Sequence, residues 1–513
     1  MRIKSLRLKN FRGYYNETSI DFDDLTVIVG KNDIGKSTVL EALDIFFNDG
    51  KGVVKLDKDD VNKTALAAGD SNISIAVIFD DLPASVVIDS TNETTLAGEY
   101  LLNAAGHLEV IKKYTNAGTA KVFINANHPQ NPACTDLLLR KNADLKKILR
   151  EHDIECDNSS INAKIRAAIW NHFSYDLDLE EFEMDVKEGE TKDIWEKLQA
   201  YLPLYTLFQS DRKNSDSDSE VQDPLKEAVK QIMADTEITA LLADVAERVE
   251  QRLIDVSNST LEKLQEMNPE VASSLKPVIP SASALKWADV FKSVSITGDE
   301  NIPINKRGSG IKRLVLLNFF RAEAERRQLQ GHTRSIIYAI EEPETSQHTD
   351  HQKMLIRAFK QLASAANTQV LLTTHSCTIV KGLDFGNLRL VSVDAGGNKC
   401  IESIVPHQLP YPSLNEINYI AFRDLTEEYH NELFGYIEAE EMLTDYKLGR
   451  TTVSYHRRRR SGDVVIESIT LTEFIRHQIH HPENTNNTRY TFDQLTFSVD
   501  SMRDFIVASR VSI

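Results

Sequence analysis

The sequence is short of cysteine, of net positive charge and of long apolar runs, and each shortage removes a class of protein. Its four cysteines, Cys134, Cys156, Cys377 and Cys400, stand far apart with no CxxC pair, which argues against a disulfide framework or a structural zinc site. No apolar stretch approaches the roughly 18 residues of a membrane-spanning helix. The first residues, MRIKSLRLKNFRGYY, are interrupted by charge in a way no export signal is. A cytoplasmic protein is expected. The 59 basic residues are outnumbered by 77 acidic ones, for a formal net charge of −18. Nucleic-acid contact would therefore have to come from a local basic strip, not from the whole surface. With 513 residues, 41% of them hydrophobic, the chain is long enough for about two to four domains with a sizeable core.

What is present begins near the N-terminus. An apolar run at residues 25–29 precedes GKNDIGKST, and apolar positions at 39, 40, 43, 46 and 47 then follow a helical period. Strand, glycine-rich loop and helix in that order form a phosphate-binding P-loop. Its residues are Gly30, Lys31, Asn32, Asp33, Ile34, Gly35, Lys36, Ser37 and Thr38. The glycines let backbone amides turn toward phosphates, Lys36 reaches the β- and γ-phosphates, and the Ser37 hydroxyl ligates Mg2+. Some three hundred residues on, SIIYAIEEPETS carries a buried-type strand ending in two acids. Glu341 takes the position of the second Mg2+ contact (Walker B) and Glu342 that of the general base. A further apolar strand, QVLLTTHS, ends at His375, placed to sense the γ-phosphate. ATP and Mg2+ are the cofactors these residues call for.

Taken together, these motifs resemble the ABC-type ATPases related to RecF and SMC, especially the OLD-like branch of bacterial antiphage systems. IKSLRLKNFRGY is similar to that family's first strand and N-F-R turn, which adds Arg12 to the ATP-binding set, and EEPETSQH is similar to its E-E-P-E-x-x-x-H block. The resemblance implies a signature loop before the acidic strand. RGSGIKR supplies it, with Ser309 and Gly310 touching the ATP of the opposite subunit. It thus implies a homodimer or higher homo-oligomer with ATP sandwiched between heads. The fold it implies is α/β: an ABC-type P-loop ATPase head with a mixed sheet, a helical insert and a mainly helical C-terminal module.

The expected divisions are residues 1–135 for the N-terminal lobe of the head, 136–290 for the insert, 291–405 for the C-terminal lobe and 406–513 for the last module. Alternation at 71–80 and 120–125 predicts strands in the first lobe. Asp223 and Pro224 read as the start of a helix with apolar positions from Ile238 to Val256. This could be a short coiled-coil arm, although a short helical insert, an amphipathic helix packed on the head, suits the limited length better. Residues 292–310 are expected to return the chain to the head as a strand. The OLD nucleases carry a Toprim domain after the histidine strand; here no cluster of glutamate with DxD follows it, so no Toprim nuclease is expected.

Residues 413–447 read as helical. SYHRRRRSGD is a local cationic spot inside an acidic chain, either a solvated loop or a contact for nucleic acid or guide RNA. ITLTEFIRHQIHHPENTNN reads as a helix capped by Thr470 or Thr472 and stopped at Pro482. Its Arg476 and His481 have the R-x4-H spacing of HEPN ribonucleases. Alternatively they belong to a histidine-rich helix end that favours the negative dipole and docks a partner. His477 and His481, one turn apart, also admit a metal reading. Within the resembling family, the compact head and missing Toprim domain look most like the PtuA-type ATPases of Septu and retron-linked systems. That implies ATP-driven regulation of a separate HNH-type effector nuclease in antiviral defence, with a reverse transcriptase and its RNA or DNA as further partners. The rival expectations are a RecF- or SMC-like DNA-repair ATPase and an ATPase-gated HEPN ribonuclease toxin.

Overall fold

The computed structural model describes residues 1–49, 52–88, 92–186, 191–209, 236–267, 334–345, 348–394, 396–404, 413–459 and 461–511. Two compact units divide the chain, one of residues 1–210 and 324–513, the other of 211–323. Ser309 and Gly310, the Asp223–Pro224 helix start and the strand expected at 292–310 lie outside the described residues.

In the larger unit, β1 (Arg2–Lys9), β2 (Thr18–Asp21), β4 (Asn72–Asp80), β5 (Leu108–Thr115), β6 (Lys121–Pro129) and β7 (Leu179–Asp185) form an antiparallel sheet of order β2-β1-β4-β5-β6-β7. The second sheet also has six strands, in the order β12-β11-β3-β10-β9-β8. They are β3 (Leu25–Val29), β8 (Leu204–Phe208), β9 (Ile336–Glu341), β10 (Thr368–Thr374), β11 (Leu388–Val393) and β12 (Lys399–Ser403). Strands β8, β9, β10, β3 and β11 run parallel, and β12 is an antiparallel edge. All five β3 residues and all seven β10 residues are buried. This is the continuous burial expected of parallel strands covered on both faces. The P-loop helix, Lys36–Asn48, buries Val39, Leu40, Leu43 and Phe46 against this layer.

The expected start of the insert at residue 136 differs from what is observed. Strands β7 and β8 lie inside 136–290, yet β7 pairs with β6 and β8 with β9, so the sheets of the head extend through Phe208. Two helices, Asn142–Glu151 and Asn162–His172, connect β6 to β7. The second carries Arg166, whose guanidinium grips Glu99 with Nε and Nη2 at 2.7 and 2.9 Å, both side chains fully buried. Such a pair holds because each charge is neutralised and hydrogen-bonded where it is desolvated.

The smaller unit has one described helix, Thr236–Met267, of 32 residues. Ala246 is buried, whereas Leu241, Val249 and Leu253 remain exposed.

The C-terminal part contains the expected helices, Leu414–Phe422, Glu427–Ala439 and Leu443–Lys447. Tyr429, Leu433, Phe434 and Ile437 pack there with Tyr446 and with Val499, Met502 and Ile506 of the last helix, Phe492–Val511. One difference from a mainly helical module is a hairpin, β13 (Thr452–Arg458) with β14 (Val464–Thr470). The alternating VVIESIT supplies its β-branched face. Three of the four arginines thus stand on or beside a strand end, not in a free loop. Thr470 is the N-cap of the helix Leu471–His480 and forms a reciprocal capping box with Glu473.

Candidate nucleotide-binding site

The carboxyl ends of β3, β9 and β10 lie side by side, because Thr374 is in register with Val29 and Thr373 with Glu341. That edge of a parallel sheet is where α/β folds hold ligands. Gly30 leaves β3 with φ 148° and Gly35 enters the helix with φ 108°, both positive values that a side chain disfavours. A Cβ at Gly30 would also stand 2.8 Å from the Val391 carbonyl. Gly35 is the N-cap, and no side chain caps the helix there. The first-turn amides are left for an anion.

Lys36 is buried, and its Nζ donates to the carbonyls of Gly30 and Lys31, each at 2.9 Å. Burial lowers its pKa, against the opposing pull of Glu342, Glu344 and Asp33. Lys31, Asn32 and Asp33 are exposed at the loop's crest, with Ile34 and Gly35 partly covered and Thr38 buried.

Glu341 and Ser37 meet. Burial raises the Glu341 pKa and the neighbouring Glu342 adds to the rise, while hydrogen bonds from Ser37 and Gln209 and the charge of Arg12 oppose it. The Oε1 atom of Glu341 is buried with no hydrogen-bond partner. A buried, partnerless carboxylate oxygen beside a hydroxyl is a donor set suited to Mg2+, which usually takes one or two protein oxygens and fills its shell with water and phosphate. Among the described residues, no group of three or more His, Cys, Asp and Glu could hold a metal by itself.

Glu342 adopts φ 40°, uncommon outside glycine, and its N–H donates to the Thr373 carbonyl at 3.0 Å. His375 Nδ1 lies 3.3 Å from Glu342 Oε1 and 3.4 Å from Glu344 Oε1. The two predicted catalytic residues are therefore in contact at the mouth of the site.

Arg12 has a less direct place. Its Nε donates to Asp60 at 2.7 Å, its Nη1 pairs with Glu41, and its guanidinium lies 5.1 Å from the centre of the Phe11 ring. It ties the N-F-R turn to the P-loop helix.

Three residues of the site escape sequence reasoning. Glu344, 4% exposed, accepts from Thr374 Oγ1 at 2.7 Å and from the His375 N–H at 2.9 Å, so it fixes the turn that carries the histidine. Gln209 bonds Glu41 at 3.0 Å and reaches Glu341. The available signal was its position directly after an apolar strand, the same position that marks Glu341. Lys399, on edge strand β12, has its ammonium 2.9 Å from where a Gly35 Cβ would be and 5.9 Å from the centre of the Tyr14 ring. Burial lowers its pKa, opposed by Asp33. It is a second cation beside the P-loop.

Arg476 and His481 have different partners. The Arg476 guanidinium lies 4.1 Å from the centre of the Phe434 ring and pairs with Glu438 at 3.1 Å. His481 instead caps its helix and lies beside Glu483 at 3.2 Å.

Comparison with known proteins gives the family. Residues 1–380 match the AAA ATPase domain. A 50-residue stretch is 50% identical to the structural maintenance of chromosomes protein 3 homolog of Plasmodium falciparum, covering 10% of this chain and only 4% of that protein. Among solved structures, an SMC head bound to the C-winged helix domain of ScpA aligns at 13% identity and TM-score 0.38, over 79% of this chain and 98% of that one. The SMC head domain from Thermotoga maritima aligns at 12% and 0.33, over 79% and 100%. No helix among the described residues is long and apolar enough to cross a membrane. With the domain matched across its P-loop, its acidic strand and the strand that ends in the histidine, the chain belongs to the AAA ATPase domain family.

Proposed function

We propose that this protein binds ATP with Mg2+ and hydrolyses it, and that the cycle regulates an effector nuclease in bacterial antiviral defence. The observation that carries the ATPase reading is the convergence of Lys36, Ser37, Glu341, Glu342 and His375 at one sheet edge from segments three hundred residues apart. Lys36 and the first-turn amides of the P-loop helix would take the phosphates. Ser37 and Glu341 would hold Mg2+, which when bound supplies charge neutralisation between the β- and γ-phosphates. Glu342, on its strained backbone, would accept a proton from the attacking water, and His375, whose N–H donates to Glu344, would contact the γ-phosphate.

The reading extends to two heads that share ATP through Ser309 and Gly310. The defence role rests on the resemblance of the EEPETSQH block and the lack of a Toprim cluster. The partners this reading names are an HNH-type nuclease and a reverse transcriptase with its nucleic acid. The commitment of Arg476 to Phe434 and Glu438 supports a C-terminal module that docks a partner over one that cuts RNA.

The test is Glu342→Gln. Purified variant should bind ATP with wild-type affinity, accumulate ATP-bound dimers by size-exclusion chromatography and lose phosphate release about 100-fold or more, the scale of removing a general base. Undiminished phosphate release would remove Glu342 from the mechanism.

A further inference from the structure

The C-terminal part carries a second concave feature. Strand β13 and the residue after it, with the helix Leu471–His480 and the loop that follows, line a cleft of about 510 Å3 that includes Arg457, Arg458, Arg459, His477 and His481. Its walls are pinned in place. Asn484 Nδ2 donates to the Tyr455 hydroxyl at 3.1 Å and to the His456 carbonyl at 2.9 Å. Asn487 accepts from the His456 N–H at 2.8 Å and donates to the same carbonyl at 3.0 Å. The Tyr455 ring, 2% exposed, stacks on His477 with centres 5.0 Å apart.

The charge of the cleft is not cancelled internally. Arg457 is held by Glu467 at 2.9 Å and His481 by Glu483, which also lines the cleft. Among the described residues, no carboxylate pairs with Arg458 or Arg459. In a chain of net charge −18, unpaired guanidinium groups gathered at a preformed concavity reverse the local field and select an anion. Guanidinium forks match phosphate oxygens, and imidazole and amide groups add further donors. The volume sits in the range of about 300 to 1,000 Å3 that takes a small ligand, enough for a nucleotide or two of one strand and too little for a duplex.

We infer that this cleft binds the sugar–phosphate backbone of a single-stranded nucleic acid, with Arg458 and Arg459 on the phosphates and Arg457, anchored by Glu467, as the wall behind them. His481 then has a binding role that does not require Arg476. The site stands apart from the ATPase reading.

The experiment is fluorescence anisotropy of full-length protein with labelled single-stranded DNA and RNA oligonucleotides, titrated without ATP at several salt concentrations. Arg458→Ala/Arg459→Ala should weaken binding about 10-fold or more and lower the slope of log Kd against log salt by about 1.4, two contacts at about 0.7 each. Arg458→Lys/Arg459→Lys should retain most of the slope, and the double alanine variant should release phosphate from ATP at the wild-type rate without oligonucleotide, which separates the cleft from the nucleotide site. Both arginines are exposed, and unchanged melting temperatures would confirm an intact fold. Three results would overturn the inference: no oligonucleotide binding by the wild-type protein, binding indifferent to the double alanine change, or displacement of the strand by millimolar inorganic phosphate, which would make this a small-anion site.

Discussion

Glu344→Gln isolates the hydrogen bonds that hold His375 from the chemistry performed there. Glu344 is buried and its Oε1 accepts two hydrogen bonds, from Thr374 Oγ1 and from the His375 N–H, while its Oε2 is buried without a partner. Hydrogen bonds to a charged acceptor contribute about 1.5 to 3 kcal/mol each, against about 0.5 to 1.5 for neutral ones. Glutamine keeps the shape and one acceptor oxygen, so the two bonds together lose about 2 kcal/mol. Its new amide group would fill the partnerless position, where an unmet donor costs about 1 to 3 kcal/mol. The sum, about 3 to 5 kcal/mol, is a large share of the stability of an ordinary domain. Urea unfolding followed by fluorescence should show the midpoint moving to lower urea. Phosphate release should fall in conditions where the variant is still folded, because the turn carrying His375 is loosened. A variant with the wild-type urea midpoint and wild-type turnover would refute the claim that Glu344 positions this turn.

Two further outcomes follow from the geometry. Lys399→Ala removes a cation beside Gly35 and Tyr14 without touching the loop itself; steady-state kinetics should show KM for ATP rising about 10-fold with kcat nearly kept, the pattern of lost uniform binding, and an unchanged KM would remove Lys399 from the site. His430 is fully buried, its Nε2 3.0 Å from Ser498 Oγ and its Nδ1 partnerless, and burial together with the charge of Arg476 lowers its pKa from 6.5 to about 3. It therefore stays neutral in the fold while the unfolded chain takes up a proton below 6.5, so this contribution is complete above that pH and is lost as pH falls toward 3. At about 1.36 kcal/mol per pH unit, roughly 2 kcal/mol should go between pH 6.5 and 5. Thermal melts of the wild type should drop more steeply over that window than those of His430→Gln, and parallel curves would contradict the assignment.

The elements that carry the site were legible because their signals are local. Five consecutive buried residues in β3, two glycines at fixed spacing and an amphipathic helix are readable within twenty-five residues of chain. The same holds for the acids at the end of β9 and the histidine after β10. The edge strands β7 and β8 were not legible. Strand β7, LEEFEMD, is almost entirely exposed and carries four acids, so it has no apolar period, and only its pairing with β6 makes it a strand. Such charge on an edge discourages further pairing, and the feature that protects the sheet also hides it from pattern reading. This is why the head was expected to stop near 135 when it continues through β8. Lys399 and Gln209 were missed for a related reason, since each reaches the P-loop region from a strand far away in sequence. The R-x4-H pair shows the converse, a spacing that matches while Arg476 lies against Phe434 and Glu438 and His481 against Glu483.

An ammonium has three hydrogens, and in Lys36 the loop's own carbonyls, Gly30 and Lys31, already engage two of them. The lysine is thus a tripod with one leg free, and loop and phosphate are brought to a common centre instead of competing for it. The loop arrives at the nucleotide already folded around the atom that will greet it. Arginine carries equal charge but spreads five hydrogens across one plane, a shape that cannot converge on two carbonyls behind it and a phosphate in front. At this position geometry, more than charge, sets which cation the loop can accept.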